Sequence, residues 1–288
     1  MVVETAAECK TADGCLLIAG GASGTVPLCE IRDLIVSSPA ASFTAGALGA
    51  LAESGVNVLI CDKKHIPVSQ VVPITRHTRC AGNIIIQAGW EQKTRAAVWR
   101  DIVISKILSQ SRLLAELGLS DPETLVRYAS RVLPGDTGCM ESVAARVYFR
   151  SLFGHGYIRH TESELNHALN YGYALIRSAF TRIITLHGYA PALGIAHCSE
   201  FNPFNLACDL MEPFRPLADR IAYEYGETPF DREKRAALLG ILNSKVVYNG
   251  LEYEFYDAAE RFALDVFALL KGENRTVGEI SVCPKNEA

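Results

Sequence analysis

One imidazole and two carboxylates lie close together along the chain, between residues 197 and 216. His197 comes first, and Asp209 and Glu212 follow on a predicted helix. Because residues three apart project from the same face of a helix, these two carboxylates repel each other unless a cation lies between them. The segment therefore predicts a cation site. Taken alone, it is more typical of solvated helix charges beside a hydrogen-bonded loop histidine.

A third carboxylate, Glu141, stands in the first turn of another predicted helix. That helix follows the turn at residues 134–138 and ends at Gly154. Glu141 shares a face with Tyr148 and Leu152, so it either reaches toward solvent or binds a positive group inside. For an isolated glutamate, the favourable interaction with the helix dipole is the ordinary explanation.

The elements around these residues have clear start and stop signals. Asn202 caps the predicted helix, and Pro213 predicts a kink or restart directly after Glu212. A capping-box pattern at residues 161–164 opens a long helix that stops at Gly188. We expect it to be the central core helix, because its apolar stripe comprises Leu165, Leu169, Tyr173, Ile176, Phe180 and Ile183.

The first part of the chain is predicted to be rich in strands. Short apolar runs separated by turn residues extend to about residue 80, and one helix is expected at residues 42–54. The glycines at residues 20–24 lack the ending of a phosphate-binding loop and favour a hairpin. The sequence thus predicts an α+β protein with a small β-rich domain at residues 1–81 and a larger, all-α-helical domain at residues 82–288.

Within the second predicted domain the helices differ in clarity. Residues 83–117 form one long helix or two joined segments, and further helices are expected at 231–243 and 256–270. A tight turn at residues 248–251 separates the last two. From about residue 272 the chain is polar, and we expect it to be frayed.

Basic residues cluster around the boundary between the two predicted domains. Over residues 71–110, six basic residues face only Glu91 and Asp101, a net charge of +4 in a chain whose formal net charge is −4. A solvated helix face explains such a surplus, and a DNA-binding patch is the alternative. The candidate DNA contacts are Arg76, Arg79, Lys93, Arg95 and Arg100; the sixth basic residue is Lys106.

Composition excludes several classes of protein. With 288 residues and 49% hydrophobic content, the chain can bury a substantial core. Nine scattered cysteines without a paired motif favour buried free thiols over a zinc site. The start lacks a secretory leader, and no apolar run is long enough to span a membrane, so we expect a cytoplasmic protein.

Three motifs resemble the CRISPR-associated spacer integrases, the "Cas-one" family, in the form found with single-protein effector systems (type II). They are G-D-T-G-C-M-E-S-V-A-A-R-V-Y-F, L-N-Y-G-Y-A-L and P-A-L-G-I-A-H-C-S-E-F-N-P-F-N-L-A-C-D-L-M-E-P-F-R-P-L-A-D. The resemblance extends through most of the chain. It implies a β-rich dimerisation domain and a helical domain with a Glu/His/acid metal site.

Carried over by motif, that site falls on Glu141, His197 and Glu212 as catalytic residues and metal ligands, with Asp209 as an auxiliary ligand. Carboxylate oxygens with one imidazole suit Mg²⁺ or Mn²⁺. The implied reaction is transesterification, in which the 3′-hydroxyl of a captured DNA fragment attacks a phosphodiester of the CRISPR array. The implied partners are double-stranded DNA, a second copy of the chain and a small "Cas-two" protein.

Two further hypotheses stay open at this point. The first is a metal-dependent nuclease of branched DNA repair intermediates, which would use the same residues with water as the nucleophile. The second is a non-catalytic scaffold subunit that holds DNA while its partner performs the chemistry.

Overall fold

The computed structural model describes residues 1–21, 23–71, 73, 77–159 and 161–282. The chain forms two compact units. The first comprises residues 1–84 with 182–189, and the second comprises residues 85–181 with 190–288. In the described part of the chain, no helix combines the length and the apolar character that crossing a membrane requires.

The first unit is rich in strands, as the sequence predicts. Its strands and the short helix among them are β1 (Val2–Val3), β2 (Ala7–Ala12), β3 (Cys15–Gly20), β4 (Gly24–Pro27), β5 (Asp33–Val36), β6 (Ser42–Phe43), α1 (Ala45–Glu53), β7 (Asn57–Cys61) and β8 (Pro67–Val71). They form two four-stranded sheets, in the orders β1-β5-β7-β8 and β4-β3-β2-β6. The predicted hairpin at residues 20–24 is confirmed, because β3 and β4 pair antiparallel.

The strands at the start of the chain were not predicted from the sequence. Strand β1 pairs parallel with β5, and β2 pairs with both β3 and β6. Along β2, Ala7 and Cys9 are buried whereas Glu8 and Lys10 are exposed. This is the period-two pattern of a strand, but its inward side chains are too small to give a strong apolar signal.

The most apolar strand of this unit, β7, lies inside its sheet. It pairs with β5 on one side and β8 on the other, and Val58 and Leu59 are fully buried. A strand covered on both faces is a continuous apolar run. The outer strands of the two sheets, rather than β7, are therefore the edges of this unit.

The second unit is mainly helical. The helices are α2 (Cys80–Ala88), α3 (Gln92–Glu116), α4 (Pro122–Ala129), α5 (Met140–Phe153), α6 (Glu164–Leu186), α7 (Asn205–Met211), α8 (Arg215–Tyr225), α9 (Arg232–Leu239) and α10 (Phe255–Leu270). Helix α2 begins in the first unit, and α6 ends in it. The predicted segment 83–117 is thus two helices, and α4 was not predicted.

The prediction of an all-α second domain is wrong in one respect. A three-stranded sheet in the order β10-β9-β11 is formed by β9 (Lys245–Tyr248), β10 (Leu251–Glu254) and β11 (Ile280–Val282). The predicted turn is present, but it joins two strands: Asn249 and Gly250 have φ of 51° and 77°, as a two-residue hairpin requires. Strand β11 also lies where a frayed end was expected. Strands of three or four residues are too short to show a periodicity.

The predicted core helix α6 is confirmed, since all six residues of its stripe are buried. It approaches α8 closely at Gly172, where a Cβ atom would lie 2.6 Å from the Cβ of Ala218. Glycine is required at this position because any side chain would push the two helices apart. Helix α8 in turn continues from the segment that carries Glu212.

The cysteines are only partly as predicted. Eight of the nine lie in the described residues, and all eight are free thiols. Cys29, Cys139 and Cys198 are exposed, so the prediction of buried thiols is wrong for these three.

Candidate active site

A single buried ammonium group joins two of the predicted site carboxylates. Lys106 Nζ, on α3, lies 2.6 Å from Glu141 Oε1 and 2.6 Å from Glu212 Oε2. The lysine side chain is only 8% exposed. The fold thus brings together, around one cation, two carboxylates from distant segments of the chain.

Sequence analysis counted Lys106 only as part of the local positive charge. Its neighbours Val103, Ser105 and Ile107 on α3 are all buried, so this lysine lies on the inner side of the helix. A lysine is almost never buried without a charged or hydrogen-bonding partner. Its position between apolar residues was therefore the signal that could have identified it.

Glu212 occupies the predicted helix discontinuity. Helix α7 ends at Met211, a 3₁₀ turn covers Glu212–Phe214, and α8 begins at Arg215. The change follows from Pro213, which cannot donate the backbone hydrogen bond of a continuous helix. Glu212 is almost completely buried, and its Oε1 lies 2.8 Å from the Arg215 guanidinium.

Glu141 is positioned by the turn that precedes α5. The Asp136 carboxylate accepts hydrogen bonds from the backbone N–H groups of Met140 and Glu141, at 2.8 and 3.0 Å. Gly135, Asp136 and Cys139 all have positive φ, which gives the turn its tight course. The side chain of Glu141 is 29% exposed, so this carboxylate lies where the site opens to solvent.

Asp209 orients His197 rather than pairing with Glu212. Its carboxylate is fully buried and accepts a hydrogen bond from His197 Nδ1 at 2.7 Å. It also accepts the backbone N–H groups of residues 195, 196 and 197. With Nδ1 donating to Asp209, the imidazole has Nε2 left for a metal or a substrate.

The loop before His197 can make these contacts only because Gly194 lacks a side chain. A Cβ atom there would lie 2.2 Å from the backbone oxygen of His197 and 2.8 Å from Asp209 Oδ2. The glycine of the G-I-A-H motif is thus required by close packing, and any substitution displaces the loop from the Asp209 carboxylate.

Electrostatics link the imidazole to the two glutamates. The hydrogen bond to Asp209 raises the pKa of His197, burial opposes this, and the charges of Glu212 and Glu141 raise it further. Burial by itself raises the pKa of Glu212, but the Arg215 and Lys106 cations outweigh it and hold the pKa below its ordinary value. Trp99 packs edge-on against the imidazole, with ring centroids 5.8 Å apart.

The side chains of this site are of the kinds that bind a divalent cation, but they do not enclose a common position. In the described residues, no three His, Cys, Asp or Glu side chains are close enough to enclose a metal ion. Glu141 and Glu212 nevertheless converge on one positive charge, with one oxygen of each 2.6 Å from Lys106 Nζ. Hard carboxylate oxygens of this kind suit Mg²⁺ or Mn²⁺.

The candidate DNA contacts have different surroundings. Lys93 is exposed, whereas the Arg100 guanidinium lies 2.7 Å from the Asp101 carboxylate. Arg95 donates from Nε to the Ile195 backbone oxygen. Arg79 is exposed and belongs to the first unit. The remaining candidate, Arg76, lies outside the described residues.

A cleft of about 740 Å³ opens beside the imidazole. Among the residues that line it are Gln87, Arg95, Leu193, His197, Phe201 and Asn205. The Phe201 ring, on the loop between His197 and α7, is 87% exposed. Sequence analysis did not single out this loop aromatic, because an exposed ring and a core ring have the same sequence signal.

Comparison with known proteins agrees with this architecture. The family model described as "CRISPR associated protein Cas1" matches residues 1–228. The chain is 42% identical, over 205 residues, to the CRISPR-associated endonuclease Cas1 of Neisseria meningitidis serogroup C (strain 8013). That alignment covers 71% of this chain and 67% of the relative.

Solved structures show the same fold at low sequence identity. A casposase bound to its integration product aligns with a TM-score of 0.76 and 16% identity, over 98% of this chain and 92% of the casposase. A chain of a Cas6-RT-Cas1–Cas2 complex aligns with a TM-score of 0.74 and 18% identity, over 96% of this chain and 35% of that one.

The match over residues 1–228 and the 42% identical relative place the chain among CRISPR-associated proteins. The chain belongs to the Cas1 family of CRISPR-associated proteins. The resemblance noted in the sequence is thereby confirmed, together with the prediction of a CRISPR-associated endonuclease.

Proposed function

We propose that this chain catalyses the insertion of DNA fragments into a CRISPR array, with Glu141, His197 and Glu212 around the reacting phosphate. The observation that carries the proposal is the convergence of Glu141 and Glu212 on one cation, 2.6 Å from each. Two carboxylates from separate helices do not meet in a protein interior unless a positive group compensates them.

In this proposal Glu141 and Glu212 would hold the metal, and His197 Nε2 would be a further ligand. A bound Mg²⁺ or Mn²⁺ supplies Lewis acidity and neutralises charge on the phosphate oxygens. Arg215 keeps Glu212 ionised and oriented through its contact with Oε1. The chain therefore provides a fixed set of ligands for phosphoryl transfer and needs no protein nucleophile.

We assign Asp209 to positioning rather than to metal ligation. Its two oxygens accept four N–H groups, three from the backbone and one from the imidazole. These donors occupy the lone-pair directions that a metal would need. Asp209 thus holds His197 in one tautomer and one orientation, in the way that carboxylates orient metal-binding histidines.

The reaction is a transesterification between two DNA strands. The 3′-hydroxyl of the fragment forms a new P–O bond at the repeat boundary and loses its proton. The existing bond from phosphorus to the repeat's 3′-oxygen breaks, and that oxygen takes up a proton. The cleft beside His197 gives a DNA strand access to the imidazole, and the exposed Phe201 ring offers a surface on which a base can stack.

The proposed partners are double-stranded DNA, a second copy of this chain and a small Cas2 protein. Similarity to a casposase bound to an integration product supports the DNA partner. Similarity to a chain of a Cas6-RT-Cas1–Cas2 complex supports the Cas2 partner. The homodimer follows from the chemistry, because joining two fragment ends to two strands requires two active sites at a fixed separation.

A strand-transfer assay tests the proposal. Labelled DNA with a 3′-hydroxyl is incubated with a repeat-bearing plasmid and the Cas2 partner, with Mn²⁺ and without it. We expect joined product only with Mn²⁺ and none with His197→Ala. Cleavage without joining would instead indicate the nuclease of branched DNA, and the absence of both products would indicate a DNA-holding scaffold.

A further inference from the structure

We infer that Lys106 is a built-in cation that occupies the metal position of the candidate site and that a divalent metal has to displace. The inference rests on the proposed metal site and adds a residue to it. Lys106 would then set how tightly the site binds metal, and it would keep Glu141 and Glu212 in place while no metal is bound.

Geometry is the first argument. Lys106 Nζ lies 2.6 Å from one oxygen of each glutamate, so those two oxygens are no more than twice that distance apart. A divalent metal held by the same two oxygens would use lone pairs that now face the ammonium. The two cations would therefore compete for the same carboxylate oxygens and would repel each other at such a short separation.

Charge is the second argument. Glu141 and Glu212 carry two negative charges, and Lys106 with Arg215 carries two positive ones, so these four side chains balance one another without metal. A divalent ion added to these four side chains would leave an excess of positive charge beside the buried Lys106 and Glu212. Uncompensated charge in such surroundings is strongly unfavourable. Metal binding is thus coupled to the withdrawal of a positive group.

The contacts indicate that the group that withdraws is Lys106, not Arg215. Arg215 binds Glu212 through Oε1, whereas Lys106 lies 2.6 Å from Oε2. Arg215 can therefore keep its contact while a metal uses Oε2. A lysine is also suited to moving, because its point charge sits on a flexible four-carbon chain.

The test measures Mn²⁺ binding directly, by electron paramagnetic resonance titration of the purified protein. Lys106→Met removes the charge and keeps the length of the side chain, and Lys106→Arg keeps the charge. Lys245→Met, at an exposed ion pair with Glu252, is the matched control. We expect Lys106→Met to bind Mn²⁺ at least tenfold more tightly than the wild type, and the other two variants to show no such gain.

Thermal melting provides a second readout that does not require a stable metal-free variant. Without metal, Lys106→Met should melt at a lower temperature than the wild type, because its carboxylates repel each other. With Mn²⁺ the increase in melting temperature should be larger for Lys106→Met. If the variant is unfolded without metal, recovery of the wild-type circular dichroism on addition of Mn²⁺ supports the inference equally.

Two outcomes would overturn it in distinguishable ways. Equal Mn²⁺ affinity of the wild type and Lys106→Met, or a variant that Mn²⁺ does not restore, contradicts the role of Lys106 alone. The absence of Mn²⁺ binding in every protein, together with no strand transfer, contradicts the proposed metal site itself and the role of Lys106 with it.

Discussion

At the scale of single residues, the two site glutamates differ in what their removal leaves behind. Glu212 is buried and compensates both Lys106 and Arg215, whereas Glu141 is partly exposed and pairs with Lys106. Glu212→Ala leaves Arg215 without its carboxylate partner and the buried Lys106 with Glu141 alone. Breaking a buried ion pair in this way costs about 3–5 kcal/mol. We expect Glu141→Ala to abolish activity with a much smaller loss of stability.

Urea unfolding of the metal-free proteins measures this difference. Glu123→Ala, an exposed acid on α4, serves as the control for loss of a surface charge. The unfolding midpoint should fall in the order Glu123→Ala, Glu141→Ala, Glu212→Ala. Equal midpoints for the two site variants would mean that Glu212 is not the acid that compensates the buried cations.

A second buried acid lies behind the site. Asp219 is fully buried and accepts hydrogen bonds from the hydroxyls of Tyr148 and Tyr173. Burial raises the pKa of Asp219 to about 6, although the two tyrosine hydroxyls act in the opposite direction. Tyr173 also packs against the Arg215 guanidinium, 4.7 Å from its ring centroid, so this acid supports the residue that orients Glu212.

The raised pKa of Asp219 makes its contribution to stability depend on pH. The protonated form is favoured in the folded state, so the contribution is fully present below pH 4 and is lost as the pH rises through about 6. The loss amounts to about 3 kcal/mol when the pKa is shifted from 3.8 to about 6.

Asp219→Asn should escape this loss, because its amide does not ionise. Denaturant unfolding at pH 4, 5, 6 and 7 measures the free energy of unfolding of the wild type and of Asp219→Asn. The difference between these two free energies cancels the contributions of the other acids, which both proteins share. The stability of Asp219→Asn relative to the wild type should increase steadily with pH. Parallel stability profiles would show that Asp219 has an ordinary pKa.

At the scale of elements, α3 serves both the site and the surface around it. Its inner side carries Lys106, and its first turns carry the candidate DNA contacts Lys93, Arg95 and Arg100. The structure separates these three by their surroundings. Lys93 is exposed, Arg95 lines the cleft, and Arg100 is paired with Asp101 on the same helix.

We expect Lys93→Gln and Arg95→Gln to weaken binding to every duplex DNA, whatever its sequence. Each lost phosphate contact should reduce the slope of log affinity against log salt by about 0.9. Arg100→Gln should have a smaller effect, because its charge is already compensated by Asp101. Fluorescence anisotropy over a range of salt concentrations measures both quantities.

Arg127→Gln, an exposed position on α4, is the control for loss of positive charge elsewhere. The assignment fails if Lys93→Gln and Arg95→Gln have the same affinity and salt slope as Arg127→Gln. The five-residue patch predicted from the sequence would then be solvated surface.

At the scale of the whole molecule, the proposed homodimer needs an open sheet edge. Among the described residues, the outer strand β8 pairs with β7 alone, and its Val68 is 64% exposed. An exposed edge with an apolar side chain is the kind of surface that a second subunit covers. We therefore expect the isolated protein to be a dimer that uses the first unit.

Light scattering at micromolar concentration tests this expectation. Val68→Asp should shift the protein toward the monomer, whereas Val126→Asp, at an exposed valine of α4, should not. A monomeric wild type contradicts the dimer. Insertion of both fragment ends at a fixed spacing by the isolated protein would contradict the need for Cas2.

The sequence alone determined the features that depend on neighbouring residues. The stripe of α6, the hairpin at residues 20–24 and the break in the helix at Pro213 follow from periodicity and turn chemistry within a few residues. The short strands β9 and β11 were not predicted, because three or four residues are too few to show a periodic pattern. The motifs also selected Glu141, His197, Asp209 and Glu212 as candidates, by residue type and spacing.

Only the tertiary structure decided what those candidates contact. It placed Lys106 between Glu141 and Glu212, although the sequence showed only surplus positive charge on α3. It also turned Asp209 away from Glu212 and toward the backbone of the His197 loop. The physical reason is that a buried charge takes whichever partner the packing of distant helices brings within reach, and local sequence carries no record of that packing.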